Sequence, residues 1–144
     1  MQTLTPRLIV KNAAAALDWY VLAMEAEELE RWAMPSSGKI VHAAIQIRGS
    51  VLSVIDDAPE WGNHAPSELG GSPILLHLDV DDADAVGARM VEQGAEVVIP
   101  IDDRFYGYRE GRLRDPFGHL WIISQKLRDM TPEEIQAGVD AFEQ

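Results

Sequence analysis

An internal repeat with an offset of about 70 residues constrains this fold more than any other feature. At an offset of 70, residues 8–17 (LIVKNAAAAL) align with 78–87 (LDVDDADAVG); at 69, Gly49 aligns with Gly118 and 51–54 with 120–123. A nearly constant offset across a helix and two strands predicts two copies of one supersecondary unit. We expect the copies at about 4–57 and 73–125 of a single domain, 1–144, with a linker at about 58–72.

Each copy has the pattern βαβββ. Asn12 in one copy, and Asp81 or Asp82 in the other, can accept hydrogen bonds from the first free N–H groups of the helix that follows. The predicted strands are 5–10, 28–33, 40–48 and 51–56 in the first copy, and 73–80, 96–100, 108–114 and 119–125 in the second. After the repeat, Thr131 to Glu134 form a capping box that predicts a C-terminal helix at about 132–143. Its apolar face needs a cover and carries Ile135, Val139 and Phe142.

Alternation along the strands predicts which way each side chain points. In both copies the first strand has one apolar face, which should pack beneath the helix, and one mixed face, which carries Arg7 in one copy and His77 in the other. In the strand IVHAAIQIR, the polar side should carry His42 and Gln46. The core side of that strand is predicted to be Val41, Ala43, Ile45 and Ile47.

Composition excludes several classes of protein. The chain has 24 acidic and 12 basic residues, a formal net charge of −12, and this field repels phosphate backbones, so we expect no nucleic-acid partner. Cysteine is absent, which excludes disulfides, thiolate metal sites and a Cys nucleophile. No apolar run is long enough to span a bilayer and the first residues lack a secretory pattern, so we expect no membrane association and a cytoplasmic protein.

Two motifs resemble a known superfamily: DWY at 18–20 in the first helix and RDPFGHLW at 114–121. With the duplicated βαβββ pattern, they resemble the vicinal oxygen chelate superfamily of glyoxalase I, bleomycin-resistance proteins and extradiol dioxygenases. GGSPILLHLDVDDADA at 70–85 is similar to its PhnB-like, glyoxalase-like branch. The resemblance implies an α+β fold in which two tandem βαβββ units form an open, cup-shaped mixed sheet around a cavity, with a C-terminal helix added. It also implies a homodimer.

The resemblance also implies where a metal ion would bind. In glyoxalase-like members four ligands come from the start of each copy's first strand and the middle of its last. The corresponding residues here are Thr5, Ser53, Leu75 and Ile122. Leu and Ile have no donor atom and hydroxyls are weak ligands, so we expect no metal and no cofactor. A displaced site at His42 and His77, joined by Asp79 or Gln46, remains an alternative.

Polar and aromatic side chains on the mixed faces and in the turns are the candidate binding residues. Aromatic rings with polar edges suit a planar or cationic guest. The candidates are Arg7, Trp32, His42, Gln46, Trp61, His77, Tyr106 and Tyr108. Arg104, Arg109, Arg112 and Arg114 form a separate cluster that could neutralise an anionic group, although ion pairs with Asp102, Asp103 and Glu110 are the favoured interpretation.

These observations favour a metal-free binding protein of the bleomycin-resistance type, which holds a small organic ligand such as an antibiotic. The alternative is a glyoxalase-like lyase or isomerase with a shifted or atypical active site. A structural module without a ligand is the third class. Fold-level resemblance does not separate these functions.

Overall fold

The computed structural model describes residues 2–143. Its elements follow the predicted order closely. In the first repeat they are β1 (Arg7–Val10), α1 (Ala13–Met24), β2 (Glu27–Ala33), β3 (Ile40–Ile47) and β4 (Ser50–Asp56). A short 3-10 turn (Pro59–Trp61) and α2 (Pro66–Leu69) follow. The remainder comprises β5 (Leu75–Asp79), α3 (Ala83–Glu92), β6 (Glu96–Asp103), β7 (Tyr108–Arg114), β8 (Leu120–Lys126) and α4 (Pro132–Phe142).

The strands form two four-stranded mixed sheets with the same topology. The first sheet has the order β1-β4-β3-β2 and the second the order β5-β8-β7-β6. In each sheet the first strand pairs in parallel with the last, and the other neighbours are antiparallel. Helices α1 and α3 cover one face of their sheets and also contact each other. The α+β architecture is as predicted, and each sheet keeps a second face, here named its open face, that neither α1 nor α3 covers.

Helix ends follow the predicted capping residues. The side chain of Asn12 accepts a hydrogen bond from Ala15 N, and Asp82 accepts one from Ala85 N. In α4 both halves of the capping box between Thr131 and Glu134 form. These contacts satisfy free backbone N–H groups in the first turn of each helix. Short polar residues in the sequence therefore indicate where the helices begin.

Strand alternation is confirmed at most positions and is wrong at Val41. Leu8 and Val10 are buried under α1, as are Ala43, Ile45 and Ile47 of β3. Val41, predicted for the core, is 52% exposed. The pairing moves from Trp32↔His42 to Ala33↔Ile40, so Val41 is the extra residue of a β-bulge. A bulge reverses the alternation, and Ile40 takes the buried place instead.

The linker and β6 also differ in detail from the prediction. The turn-rich linker contains two short helical turns, each with Pro at its start and a glycine, Gly62 or Gly70, in the left-handed conformation at its end. Strand β6 continues to Asp103, beyond the predicted end at Pro100. Pro100 is tolerated because β6 is an edge strand with irregular pairing on either side of Ile99.

The two repeats are joined through the buried carboxylate of Asp115, in the turn between β7 and β8. One carboxylate oxygen accepts hydrogen bonds from the Tyr20 hydroxyl at 2.5 Å and from Trp121 Nε1 at 2.9 Å. The other accepts from the backbone N–H groups of Phe117 at 2.9 Å and His119 at 3.0 Å. Because Tyr20 belongs to α1, this group fixes the first helix to the last hairpin.

Gly118 completes the same turn. Its φ of +95° is disfavoured for side chains with a Cβ, and an added Cβ would lie 2.9 Å from Cβ of Pro66. The DPFG turn therefore packs closely against α2 of the linker. Within residues 2–143, no helix has both the length and the apolar character needed to cross a membrane.

Replacing Asp115 with Ala should destabilise the protein strongly. The change leaves the donors of Tyr20 and Trp121 buried without acceptors, which costs about 3 to 5 kcal/mol in total. Urea denaturation measures the difference in the free energy of unfolding. The exposed Asp129→Ala is the matched control and should cost less than about 0.5 kcal/mol. Equal effects of the two changes would contradict the role given to Asp115.

Tyr20 should make stability fall at high pH. Burial, followed by the charge and hydrogen bond of Asp115, raises the pKa of Tyr20 well above its usual value. A raised pKa means that the neutral phenol stabilises the fold fully below the unfolded pKa of about 10, and that this contribution is lost as pH rises beyond it.

Tyr20→Phe should therefore lose less stability than the wild type between pH 8.5 and 11, by up to about 1.4 kcal/mol per pH unit above pH 10. Urea titrations at each pH measure this difference. Tyr106 and Tyr108 are present in both proteins, so their contributions to the pH dependence of stability cancel in the difference. Parallel pH profiles for the two proteins would refute the assignment to Tyr20.

Candidate functional site

A large cavity lies on the open face of the second sheet. It is a groove of about 610 Å³ between the second sheet and α4. Its floor comes from three neighbouring strands, with Arg112 of β7 paired to Ile122 of β8 on one side and to Ile99 of β6 on the other. Its roof is formed by Phe105, Val139 and Phe142. The groove is thus apolar on most sides, with charged groups at the floor.

Helix α4 lies over the groove because the chain folds back after β8. The carbonyl of Gly107 accepts hydrogen bonds from Leu127 N at 2.8 Å and Arg128 N at 3.2 Å. The ring of Phe105 then packs against Gly138 and lies 6.2 Å from the ring of Phe142. The apolar face of α4 predicted from sequence therefore faces the open face of the second sheet across the groove, and none of the residues of α4 is buried by it. Phe142 remains 81% exposed at the rim.

A tyrosine–glutamate pair occupies one end of the groove. The hydroxyl of Tyr106 donates a hydrogen bond to Glu110. Partial burial, the hydrogen bond and the charge of Glu110 together raise the pKa of Tyr106 to about 12. Arg104 lies beside this pair and donates to the backbone carbonyl oxygens of Pro100 and Glu110. Tyr106 is therefore a hydrogen-bond donor near neutral pH.

Arg112 differs from the other arginines of its cluster. Arg109 is paired with Asp84 at 3.0 Å and Asp103 at 2.9 Å, and Arg114 is paired with Glu96 at 2.6 Å. The predicted partner Asp103 is therefore confirmed for Arg109, whereas Arg114 forms its ion pair with Glu96, which is not among the predicted acidic partners. Arg112 is half-buried, and within residues 2–143 its side chain has no hydrogen bond and no ion pair.

Four of the eight predicted binding residues share the open face of the first sheet. Arg7 pairs with Ser53, and Ser53 pairs with Ala44, so these three residues form one row across the sheet. Trp32 and His42 pair with each other and belong to the next row on the same face. The rings of Trp32 and His42 lie 4.9 Å apart, and His42 Nε2 is 3.7 Å from Glu30. Gln46 follows on the same face, half-buried.

The other four predicted residues lie elsewhere. His77 is on the open face of the second sheet, where its ring is 3.1 Å from Asp79. Tyr106 lines the groove, and its ring centroid is 6.2 Å from that of Tyr108. Trp61 is 80% exposed in the linker.

The metal positions of the superfamily do not fit a metal ion here. Ile122 forms part of the groove floor, and Leu75 is on the adjacent strand, but both side chains are hydrocarbon. Thr5 is exposed, and Ser53 has a buried hydroxyl with no hydrogen-bond partner. Among residues 2–143, no three His, Asp or Glu side chains are grouped so as to hold an ion.

Sequence reasoning did not select most of the groove. The sequence analysis does not select Phe105, and it includes Arg112 only as one of four arginines. It predicts Val139 and Phe142 as part of an apolar face that needs a cover, and Glu110 only as an ion-pair partner. The available signal is an arginine cluster followed in the chain by an apolar helix, but only the fold brings the two together.

Comparisons with known proteins agree with this architecture. A family model described as the Glyoxalase/Bleomycin resistance protein/Dioxygenase superfamily matches residues 3–123. An uncharacterized protein of Mycobacterium tuberculosis is 41% identical over 141 residues, which cover 96% of this chain and 82% of that protein.

Solved structures show the same fold. TioX from Micromonospora sp. ML1 matches with a TM-score of 0.69 at 25% identity, over 88% of this chain and 100% of that one. The fosfomycin resistance protein FosX from Mesorhizobium loti matches with a TM-score of 0.65 at 16% identity, over 94% of this chain and 97% of that one. At 16% identity the likeness shows the fold alone.

The contact between Gly138 and Phe105 predicts how α4 can be detached. A Cβ at Gly138 would lie 2.3 Å from Cδ2 of Phe105. Gly138→Ala should therefore overpack the contact, at a cost of about 1 to 3 kcal/mol, and speed amide exchange in α4. Hydrogen–deuterium exchange with mass spectrometry follows this segment.

The matched background is Phe105→Ala, in which the ring is absent. There Gly138→Ala should slow exchange instead, because alanine favours a helix by about 1 kcal/mol over glycine. The same sign of effect in both backgrounds would show that Phe105 does not position α4.

Proposed function

The chain belongs to the glyoxalase/bleomycin resistance protein/dioxygenase superfamily, and on this premise we propose that it binds a small organic molecule without a metal ion. The observation that carries the proposal is the replacement of donor atoms by hydrocarbon at Leu75 and Ile122, two of the four metal positions. Ile122 is the central case, because it faces a groove of suitable size and offers only an apolar contact there.

The dimensions and chemistry of the groove support binding of an organic ligand. A volume of about 610 Å³ lies within the range of small-molecule sites, which is roughly 300 to 1,000 Å³. Aromatic and aliphatic side chains form most of the lining, and a few polar groups provide specificity. This is the composition typical of ligand pockets.

The electrostatics of Tyr106 favour a role in contacting the ligand over a role in proton transfer. A general acid or base works best with a pKa near the working pH. The pKa of Tyr106 is raised to about 12, away from neutrality, by burial and by its pairing with Glu110. In our proposal Tyr106 and Glu110 shape and orient the site.

We further propose that the protein is a homodimer and that the open face of the first sheet contributes to binding or to the dimer contact. Large apolar side chains stand exposed at this edge, with Trp32 at 59% and Val41 at 52% exposure. Exposed apolar patches of this kind mark interaction surfaces. Arg7, His42 and Gln46 beside them supply polar contacts, and bleomycin-type antibiotics are a candidate class of ligand.

Native mass spectrometry of the purified protein tests the proposal. We expect a dimer mass with no stoichiometric metal. The same sample should show no rise in melting temperature with Zn²⁺, Ni²⁺ or Mn²⁺, and no fall with EDTA, because only a ligand bound by the native state shifts stability. In a screen of organic compounds, including bleomycin-type antibiotics, at least one compound should raise the melting temperature.

One equivalent of metal per chain, lost together with stability on chelation, would overturn the metal-free assignment and favour the glyoxalase-like enzyme. A monomer mass would overturn the homodimer alone.

A further inference from the structure

Given the proposed function, on which this inference rests, we infer that the ligand of the groove is an amphipathic organic anion. Its acid group binds Arg112, and its apolar body lies between the sheet and α4. The inference concerns the class of ligand and the residue that selects it.

The first step is the state of the Arg112 guanidinium. Arg112 is in the middle of the groove floor, between Ile99 and Ile122, and is half-buried. Arginine always carries its charge, and a partly desolvated guanidinium is costly unless an acceptor faces it. Planar carboxylate, sulfonate and phosphonate groups fit its donors, often in a bidentate arrangement.

The second step is that no acidic side chain within residues 2–143 is bonded to Arg112. Glu110, the nearest acidic residue along the same face of β7, accepts the Tyr106 hydroxyl. Arg114, the next arginine on that face, is paired with Glu96. Glu143, at the C-terminal end of α4, also lines the groove but forms no ion pair with Arg112. A bound ligand can therefore supply the acceptor that Arg112 lacks.

The third step is the apolar cover. Phe105, Val139 and Phe142 face the floor from the α4 side, with Val139 still 39% exposed. A hydrocarbon or aromatic body placed beside Arg112 would bury these side chains, and the removal of apolar surface from water favours binding. This lining therefore recognises a ligand that has one polar end and a large apolar end.

The net charge of −12 allows anion binding inside the groove to be distinguished from general electrostatic attraction to the protein. A field of that sign opposes the approach of any anion. Binding of an anion must therefore come from contact with a cation inside the groove rather than from general attraction. Arg104 also lines the groove, but its guanidinium already donates to the carbonyl oxygens of Pro100 and Glu110, so the loss of Arg112 should be visible.

A matched pair of fluorescent probes tests the inference. 8-Anilinonaphthalene-1-sulfonate is an aromatic anion, and N-phenyl-1-naphthylamine is the same ring system without the sulfonate. Fluorescence titration gives the dissociation constant of each probe for the folded protein. We expect the sulfonate probe to bind the wild type more tightly than the neutral probe.

Arg112→Gln should weaken the sulfonate probe by about tenfold or more, the loss expected for a charge-assisted hydrogen bond, and change the neutral probe by less than about twofold. Arg114→Gln is the control. It removes the same charge two residues further along the same face, where the arginine is paired with Glu96. It should change neither probe by more than about twofold.

A measurement on the unaltered protein avoids dependence on the variant's folding. Decanoate should displace the neutral probe from the wild type, and 1-decanol at the same concentration should displace it much less. Equal displacement by the two compounds, or an equal loss of both probes in Arg112→Gln, would overturn the assignment of an anion to Arg112. If neither probe nor any screened compound binds the wild type, the proposed function itself fails.

Discussion

The buried carboxylate of Asp115 is the contact on which the rest of the arrangement depends. It accepts hydrogen bonds from Tyr20 of α1, from Trp121 of β8 and from two backbone N–H groups of its own turn. A charged group that is 2% exposed is stable only when its acceptor sites are used. The same contact sets the turn between β7 and β8, and these strands carry Arg112 and Ile122. The hydrogen bonds of Asp115 thus both link the two repeats and set the geometry of the groove floor.

Duplication produced two open faces with equivalent positions, and the two faces have diverged. The row Arg7, Ser53 and Ala44 in the first sheet corresponds to His77, Ile122 and Arg112 in the second. On its third strand the second face carries the cation of Arg112, where the first carries the methyl group of Ala44. Helix α4 faces the second sheet across the groove, whereas Ser53 and Ala44 at the centre of the first face are only 3% and 6% exposed.

Sequence reasoning reached the site only in part, for a physical reason. Strand alternation correctly put Arg7, His42, Gln46 and His77 on the faces away from the helices, because the side-chain period of a strand is a local property. It failed at Val41, because a bulge depends on how the partner strand pairs. It also treated the arginine cluster as one group, although Arg109 has acidic partners and Arg112 has none among the described residues.

The sequence by itself determined the repeated βαβββ units, the helix starts at Asn12, at Asp81 or Asp82 and at Thr131, and the hydrocarbon side chains at Leu75 and Ile122, which the family resemblance identifies as metal positions. These follow from local hydrogen bonding, periodicity and side-chain chemistry, which operate within a few residues. Only the tertiary structure decided that α4 faces the second sheet across a groove, that Asp115 joins the repeats, and that Arg112 lies in this groove. Each of these depends on residues far apart in the chain, such as Phe105 with Gly138 or Tyr20 with Asp115, and no local pattern specifies which distant surfaces meet.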